Sequence, residues 1–419
     1  MRGRGPAALF LAAFAAVFVP VLASGGPGAM EAWAVEPVEI SVSLSREETE
    51  GEEWTEGETG AAETGGDLET ELFDELDVSD IQEFLRKEAP ESPDFRQIME
   101  DLMAGRLLKV CEDLLEPAKE ELFSELSFGI RAAGQILTLG ILGAVFTNFS
   151  DVFDKSQVSE TAFYVTYLLM TAILAAGLGQ SAETASRTVS QILRFMQVLA
   201  PSYFLAVAFA GGSASAMAMY EGTLLLITGG QWLLHTVLIS LVRIHILLSL
   251  AGNLGKETYF GKLTELLRQA AGWGMKTLLG LALGFHLIQG MILPYVDALK
   301  NGSVQKLMSL IPGVGQGAAA LTQVLLGSGV LIKNTMGMAA VVILAAVTAV
   351  PAAKLLLLTL LYRLLAVLLE PVCDRRLVAC VTAAADGHQM LLQIVMTAAF
   401  LLVITVALVC AGTNVTYYA

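Results

Sequence analysis

Charge is scarce in this chain: only 16% of its 419 residues are Asp, Glu, Lys or Arg, against about 25% in soluble domains. So few charges cannot cover a water-facing surface of this size. Cysteine is equally thin, with Cys111, Cys373, Cys380 and Cys410 scattered and no CxxC among them. Zinc ligation wants closely spaced pairs, so this spacing argues against a metal centre and supports no disulfide. No HExxH, no GxSxG and no convincing carboxylate pair occurs, and Gly327-Ser328-Gly329 alone is too common to mark a nucleophile. No Gly-Lys-Ser/Thr ending follows a glycine-rich turn, so no Walker-type phosphate cradle is present. Clustered Lys and Arg are missing too, which argues against nucleic-acid binding. The reading is a non-enzyme without a cofactor. What the chain has in abundance is apolar residues, 55% of the total, and a mean hydropathy of +0.63. Most of it requires a lipid bilayer as solvent.

The net charge of −16 is unevenly spread. Thirty of the 41 acidic residues lie between Glu31 and Glu125, beside seven basic ones; from Ser127 onward there are 16 basic and 11 acidic residues. An acidic region therefore precedes a mildly basic, apolar one. Residues 1–23, with Arg2 and Arg4 before the apolar run Ala7–Leu22, read as a signal peptide, with cleavage near Ala23 or after Ala34. An uncleaved anchor helix is the alternative. In both cases the next segment is delivered across the membrane. Residues 24–66 form an acidic segment whose Glu-, Thr- and Gly-rich stretch from 35 lacks the apolar surface to offset its ordering entropy, and it reads as disordered. Residues 67–126 read as extracytoplasmic amphipathic helices. One carries Leu68, Leu72, Leu76, Ile81, Phe84 and Leu85 at helical spacing. Another starts at Ser92-Pro93, an N-cap followed by proline, and presents Phe95, Ile98, Met99, Leu102, Met103, Val110 and Leu114. These helices are expected to pack on each other, with packing on a partner as the alternative.

From 127 to 419 the chain reads as an all-α polytopic membrane domain. A hydrocarbon core of about 30 Å takes about 20 apolar residues per helix, and no β-barrel alternation competes. Candidate spans are 130–149, 161–180, 195–219, 223–247, 274–296, 328–350, 352–371 and 389–411, giving six to eight crossings. Pro351 alone separates the sixth and seventh, which predicts a tight hairpin there. With eight alternating spans, Arg375-Arg376 fall inside, as the positive-inside rule asks, while Lys256, Lys262 and Arg268 fall outside, which it does not. One of spans three to five is then re-entrant or lies on the surface.

Ionisable residues within spans are costly and count as functional candidates. His235, Arg243 and His245 lie in or near the fourth span, with 235, 239 and 243 on one helical face; Lys276 and His286 lie in the fifth. They are candidate pore or intramembrane polar groups. The competing reading is that Arg243 and His245 mark a helix end and reach to the interface. Proline and glycine mark candidate broken-helix turns: Pro201 with Gly211 and Gly212, and Pro312 with Gly313 and Gly315. Such breaks form substrate sites in some transporters. The pair Gly280 and Gly284 makes a GxxxG, which indicates close helix approach, within the chain by default or else with other subunits.

The run Leu199–Glu221 (LAPSYFLAVAFAGGSASAMAMYE), with Ile311-Pro-Gly-Val-Gly-Gln316, Lys333-Asn-Thr-Met-Gly337 and Pro371-Val-Cys-Asp-Arg-Arg376, resembles the stage III sporulation protein AE family of endospore-forming bacteria. The resemblance covers roughly residues 95–415 and extends to the plan of leader, extracytoplasmic segment and polytopic domain. It implies a multi-pass subunit of a channel or secretion-like complex in the mother-cell membrane around the forespore, acting after engulfment. The partners it implies are a cytoplasmic ATPase and ring-forming membrane proteins, with the acidic N-terminal region in the space between the two membranes. It supplies no catalytic residues. A free-standing secondary transporter of a small solute or ion, suggested by the broken helices and mid-chain His and Arg, is the alternative.

Overall fold

The computed structural model describes residues 76–90, 92–151, 156–210, 213–253, 260–308 and 315–414. The expected signal peptide, the acidic segment, Gly211, Gly212, Pro312 and Gly313 lie outside them. Among the described residues there is no strand. The helices are α1 (Ser79–Glu88), α2 (Phe95–Met103), α3 (Leu107–Asp151), α4 (Ser156–Phe209), α5 (Ser213–Gly230), α6 (Ile239–Gly252), α7 (Gly261–Met308), α8 (Gly315–Leu369) and α9 (Arg375–Asn414). A π-helical segment, Gln231–Leu238, joins α5 to α6 without a turn.

Five stretches are long and apolar enough to cross a membrane: Thr161–Phe209, Ser215–Gly252, Gly261–Ile292, Leu326–Leu369 and Arg375–Ala411. A shorter apolar piece, Gly129–Val145, lies in α3. The most apolar window of α9 is 72% buried, against 22–39% in the other four. Helix α9 is thus the axis of the bundle, touching α4, α5, α6, α7 and α8. Its apolar character on every side suits that position.

Neither expected proline break occurs. Pro201 is exposed and lies inside α4, and Pro351 lies inside α8. Proline removes one i→i−4 hydrogen bond, but packing on both flanks of each residue keeps the helix continuous. The expected hairpin at Pro351 is therefore replaced by one uninterrupted helix, and span 161–180 shares α4 with the part of span 195–219 up to Phe209, whose remainder from Ser213 lies in α5. Gly315 opens α8 rather than forming a turn of its own.

Contacts along the bundle fix how the helices run. The Arg376 guanidinium lies 3.6 Å over the Phe163 ring, and the Tyr167 hydroxyl donates to the Leu250 carbonyl. His245 Nδ1 donates to the Thr264 carbonyl at 2.9 Å. At the opposite end a Cβ on Gly329 would sit 2.6 Å from the carbonyl carbon of Phe209, and Tyr203 approaches Cys410. So α4, α7 and α9 run one way, and α5–α6 and α8 the other. Because α4 passes straight through Pro201, the start of α7 returns to the end that holds Arg375 and Arg376. The expected conflict, with Lys262 and Arg268 on the opposite side from those arginines, disappears.

The short helices also differ from expectation. Helix α2 begins at Phe95, not at Ser92-Pro93, and Gln82 Oε1 from α1 accepts the Phe95 N–H at 2.6 Å. Their apolar faces bury mainly on the bundle rather than on each other. Phe84 stacks against Phe195 of α4 at 5.2 Å, Glu88 takes Gln191 and Arg194, the Ser202 hydroxyl donates to the Asp77 carbonyl, and α2 packs on α8 and α3. Helix α3 runs unbroken across 126/127, so the amphipathic region and the membrane domain share a helix.

Candidate functional site

Polar side chains meet the central helix in three places. The first lies where α4, α8 and α9 converge. Lys333 is fully buried, and close by the Tyr203 hydroxyl is 3.0 Å from Cys410 Sγ and donates to the Val406 carbonyl at 3.4 Å. Gly337, one helical turn from Lys333, makes room: a Cβ there would be 3.1 Å from both Cys410 Sγ and Val406, and 3.5 Å from the Tyr203 oxygen.

The second place lies between α5, α7 and α9. Leu226, Ala282 and Leu401 form an apolar layer. One helical turn further along each helix come Thr223, His286 and Thr405, and the layer turns polar because α5 runs against the other two. The Thr405 hydroxyl donates to the Leu401 carbonyl at 2.8 Å, so it accepts from His286 Nε2–H at 3.1 Å. The Gln289 amide donates to the Ala218 carbonyl at 3.1 Å. Thr223 Oγ1, His286 Nδ1 and Gln289 Oε1 are buried without a hydrogen-bond partner among the described residues. Buried polar groups are normally satisfied, so three orphans around one layer set it apart from ordinary packing.

The third place is a collar about half-way along α4. Glu183 pairs with Arg243 at 3.6 Å, and Ser186 Oγ lies 3.0 Å from His235 Nε2. On the other flank Arg363 reaches Asp386 at 4.0 Å and hydrogen-bonds Gln389. His388 stacks on Tyr362 at 5.0 Å and donates to the Ala384 carbonyl.

These positions sort the candidates from the sequence. His235 and Arg243 share a face, as their spacing required, and it meets α4 at the exposed collar rather than an enclosed path. His245 is buried and held by Thr264. Lys276 is exposed and His286 buried, so they point different ways and do not act together. Among the described residues the Gly280–Gly284 pair makes no close approach, because a Cβ at either meets nothing within 4 Å. The close approaches are at Gly143, Gly222 and Gly329 instead. Lys333 and Tyr203 enter the sequence reading only inside the family motifs, and Gln289, Thr405 and His388 not at all. Lys333 carried the clearest signal, a lysine inside an otherwise apolar run. Among the described residues no group of three His, Cys, Asp or Glu gathers to hold a metal ion.

A helical bundle of lipid-length apolar helices around an apolar core with a few buried polar groups defines a multi-pass α-helical membrane protein. The chain matches the Stage III sporulation protein AE family over residues 93–413 and belongs to that family, which ties it to sporulation. It is also similar to the Stage III sporulation protein AE of Bacillus subtilis (strain 168), with 24% identity over 260 residues. That match spans 62% of this chain and 65% of the relative's length. No solved structure matches.

Proposed function

We propose that this chain is the membrane-core subunit of a multiprotein sporulation complex, a channel-like conduit in the mother-cell membrane around the forespore, rather than a machine that works alone. One observation carries the reading. Thr161–Phe209 is a single 49-residue segment, about 73 Å long at 1.5 Å per residue, while the bilayer core is about 30 Å thick. Even a tilt of about 40° leaves a span far beyond that thickness. Both halves of the bundle nevertheless expose large apolar side chains: Leu169 and Leu364 in one half, Leu281 and Met291 in the other. Lipid cannot cover both halves, and a contiguous apolar surface left in water marks a protein interface. The open Gly280–Gly284 face adjoining Leu281 suits a helix from a partner. Family membership supports the same reading, with a cytoplasmic ATPase and ring-forming membrane proteins as the expected partners. Arg375 and Arg376 face the cytoplasm by the positive-inside rule. The end carrying α1 and α2, and with it the N-terminal region, is then extracytoplasmic.

The test is to charge the uncovered face. Leu281→Glu with Met291→Glu is expected to block sporulation and abolish co-purification of partner subunits, with normal protein level and melting behaviour in detergent. Normal sporulation by that variant refutes the reading. The orphaned layer at Thr223, His286 and Gln289 favours a second reading, a coupled transporter. It predicts instead that His286→Ala alone abolishes function while partner capture stays intact.

A further inference from the structure

Helix α7 carries two apolar seams back to back. The inner one, with Ala271, Met275, Leu278 and Ala282, is buried on the side where α7 meets α5, α6 and α9. The outer one is open. Steps of seven from Leu263 reach Ala270, Thr277, Gly284 and Met291. The same steps from Leu266 reach Trp273, Gly280 and Leu287. Gly284 is half-buried and all the others are exposed. Interleaved, the two rows recur every three and four residues along about 42 Å of helix. Such a repeat keeps one face turned toward a neighbouring helix that crosses at about 20°. We propose, resting on the subunit reading above, that this outer seam seats one apolar helix of a partner subunit, and that this helix carries an Asp or Glu beside Lys276.

The seam is unlike the other exposed apolar faces. Helix α8 shows bulk throughout, with Leu356, Leu360, Leu364 and Leu368 exposed. On α7, large side chains stand at both ends of the seam, and Thr277, Gly280 and Gly284 lie between them. A Cβ on either glycine meets nothing among the described residues, so the helix backbone is bare there. A second helix can approach it closely and make packing contacts that lipid chains do not supply.

Lys276 defines the chemistry of the incoming helix. It is exposed one turn before Gly280, on the flank of the seam where paired helices form their salt bridges. No other Asp, Glu, Lys or Arg occurs between Arg268 and Met291. Arg243, Arg268 and Arg363 each have a carboxylate within 4.0 Å, and Lys276 has none among the described residues. A helix seated on Gly280 and Gly284 shields this ammonium from water, and a shielded charge without a counter-ion is costly. A carboxylate on that helix supplies the counter-ion. A second copy of this chain does not. Both copies lie the same way in one membrane, and the facing flank of a parallel α7, Gly274, Leu281 and Ile288, holds no acid.

Cross-linking of the full chain in membranes of sporulating cells tests the seat. Dicyclohexylcarbodiimide joins an amine to a carboxylate without a spacer, and mass spectrometry reads both ends of the product. Lys276 is expected to be joined to an Asp or Glu within an apolar helix of another protein. Lys276→Arg keeps the charge but offers no reactive amine, so the product is expected to vanish while co-purification of that protein stays normal. Lys276→Glu is expected to lower its co-purification at least tenfold at unchanged protein level. Benzoylphenylalanine in place of Leu266, Trp273 or Leu287 is expected to capture that helix at least tenfold more than in place of Leu169 or Leu364, which are exposed elsewhere. No product at Lys276, a product within this chain or with a second copy of it, or equal capture at all five positions overturns the proposal. If the Leu281→Glu/Met291→Glu variant still loses its partners in that event, the subunit reading stands and only this seat fails.

Discussion

Replacing Gly329 by alanine probes the contact on which the continuous architecture depends. A Cβ at this position would lie 2.6 Å from the Phe209 carbonyl carbon, 2.7 Å from its oxygen and 2.8 Å from the Ala210 nitrogen. Ordinary contacts begin at 3.4 Å, so α8 and the end of α4 must separate by most of an ångström. Every obstructing atom is main chain, and no side chain can swing aside. Overpacking of this kind costs about 1–3 kcal/mol, while alanine in a helix returns up to about 1 kcal/mol relative to glycine. The expected net effect is a destabilisation of about 1–2 kcal/mol. It is read as a lowered midpoint in SDS titration of the protein in mixed micelles. Gly280→Ala and Gly284→Ala are the internal controls. With nothing within 4 Å of either Cβ, each should be neutral or gain up to about 1 kcal/mol. If Gly329→Ala is as stable as these controls, α8 does not meet α4 at its tip. The pairing of two full-length helices is then wrong.

Three further outcomes follow from buried or paired groups. Tyr203→Phe removes a hydroxyl that donates to Val406 beside Cys410 and should cost about 0.5–1.5 kcal/mol in the same titration; no loss would mean that the bond is not formed. Thr223→Val removes a buried hydroxyl without a partner and should be neutral or stabilising, whereas Thr405→Val, which takes the acceptor from His286, should cost about 1 kcal/mol. Equal losses at the two sites would show that Thr223 has a ligand. Asp101 is held below the usual aspartate range by hydrogen bonds from Arg106 and then Lys109, at the junction of α2 and α3. A depressed carboxyl contributes stability that is present above its unfolded pKa and lost as pH falls through the folded one. Amide-exchange protection of α2 should therefore decline in acid below the ordinary aspartate range, and Asp101→Asn should remove that pH dependence.

The class of fold was legible because it depends on quantities that a sequence carries openly. Scarce charge, long apolar runs and the shift near Ser127 require lipid-soluble helices whatever their arrangement. The central place of α9 was nearly legible too: its apolar window has the highest hydropathy of the five, 2.8, and a helix apolar on every side belongs inside a bundle. What could not be read is which residues face one another. Pro201 and Pro351 look like breaks because a lone helix loses a hydrogen bond there; in the bundle each is flanked by well-packed turns, and the helix continues. Gly280–Gly284 carries the packing motif and meets nothing among the described residues, whereas Gly329, between Ser328 and Val330, carries no GxxxG packing motif and touches backbone. His286 shares a candidate span with Lys276, yet its contact is Thr405, 119 positions away.

The same argument separates the number of apolar runs from the number of helices. Hydropathy counts apolar runs, and each run was assigned its own crossing of the bilayer. In this bundle a single helix holds two runs with a charged stretch between them, as α4 does on either side of Glu183, Arg187 and Arg194. Doubling the runs per helix doubles the apolar length without adding a crossing, and the excess must be covered by something other than hydrocarbon. An apolar total too large for the number of helices is thus itself a sign of a subunit. It separates a chain that completes its surface with partners from one that needs only lipid.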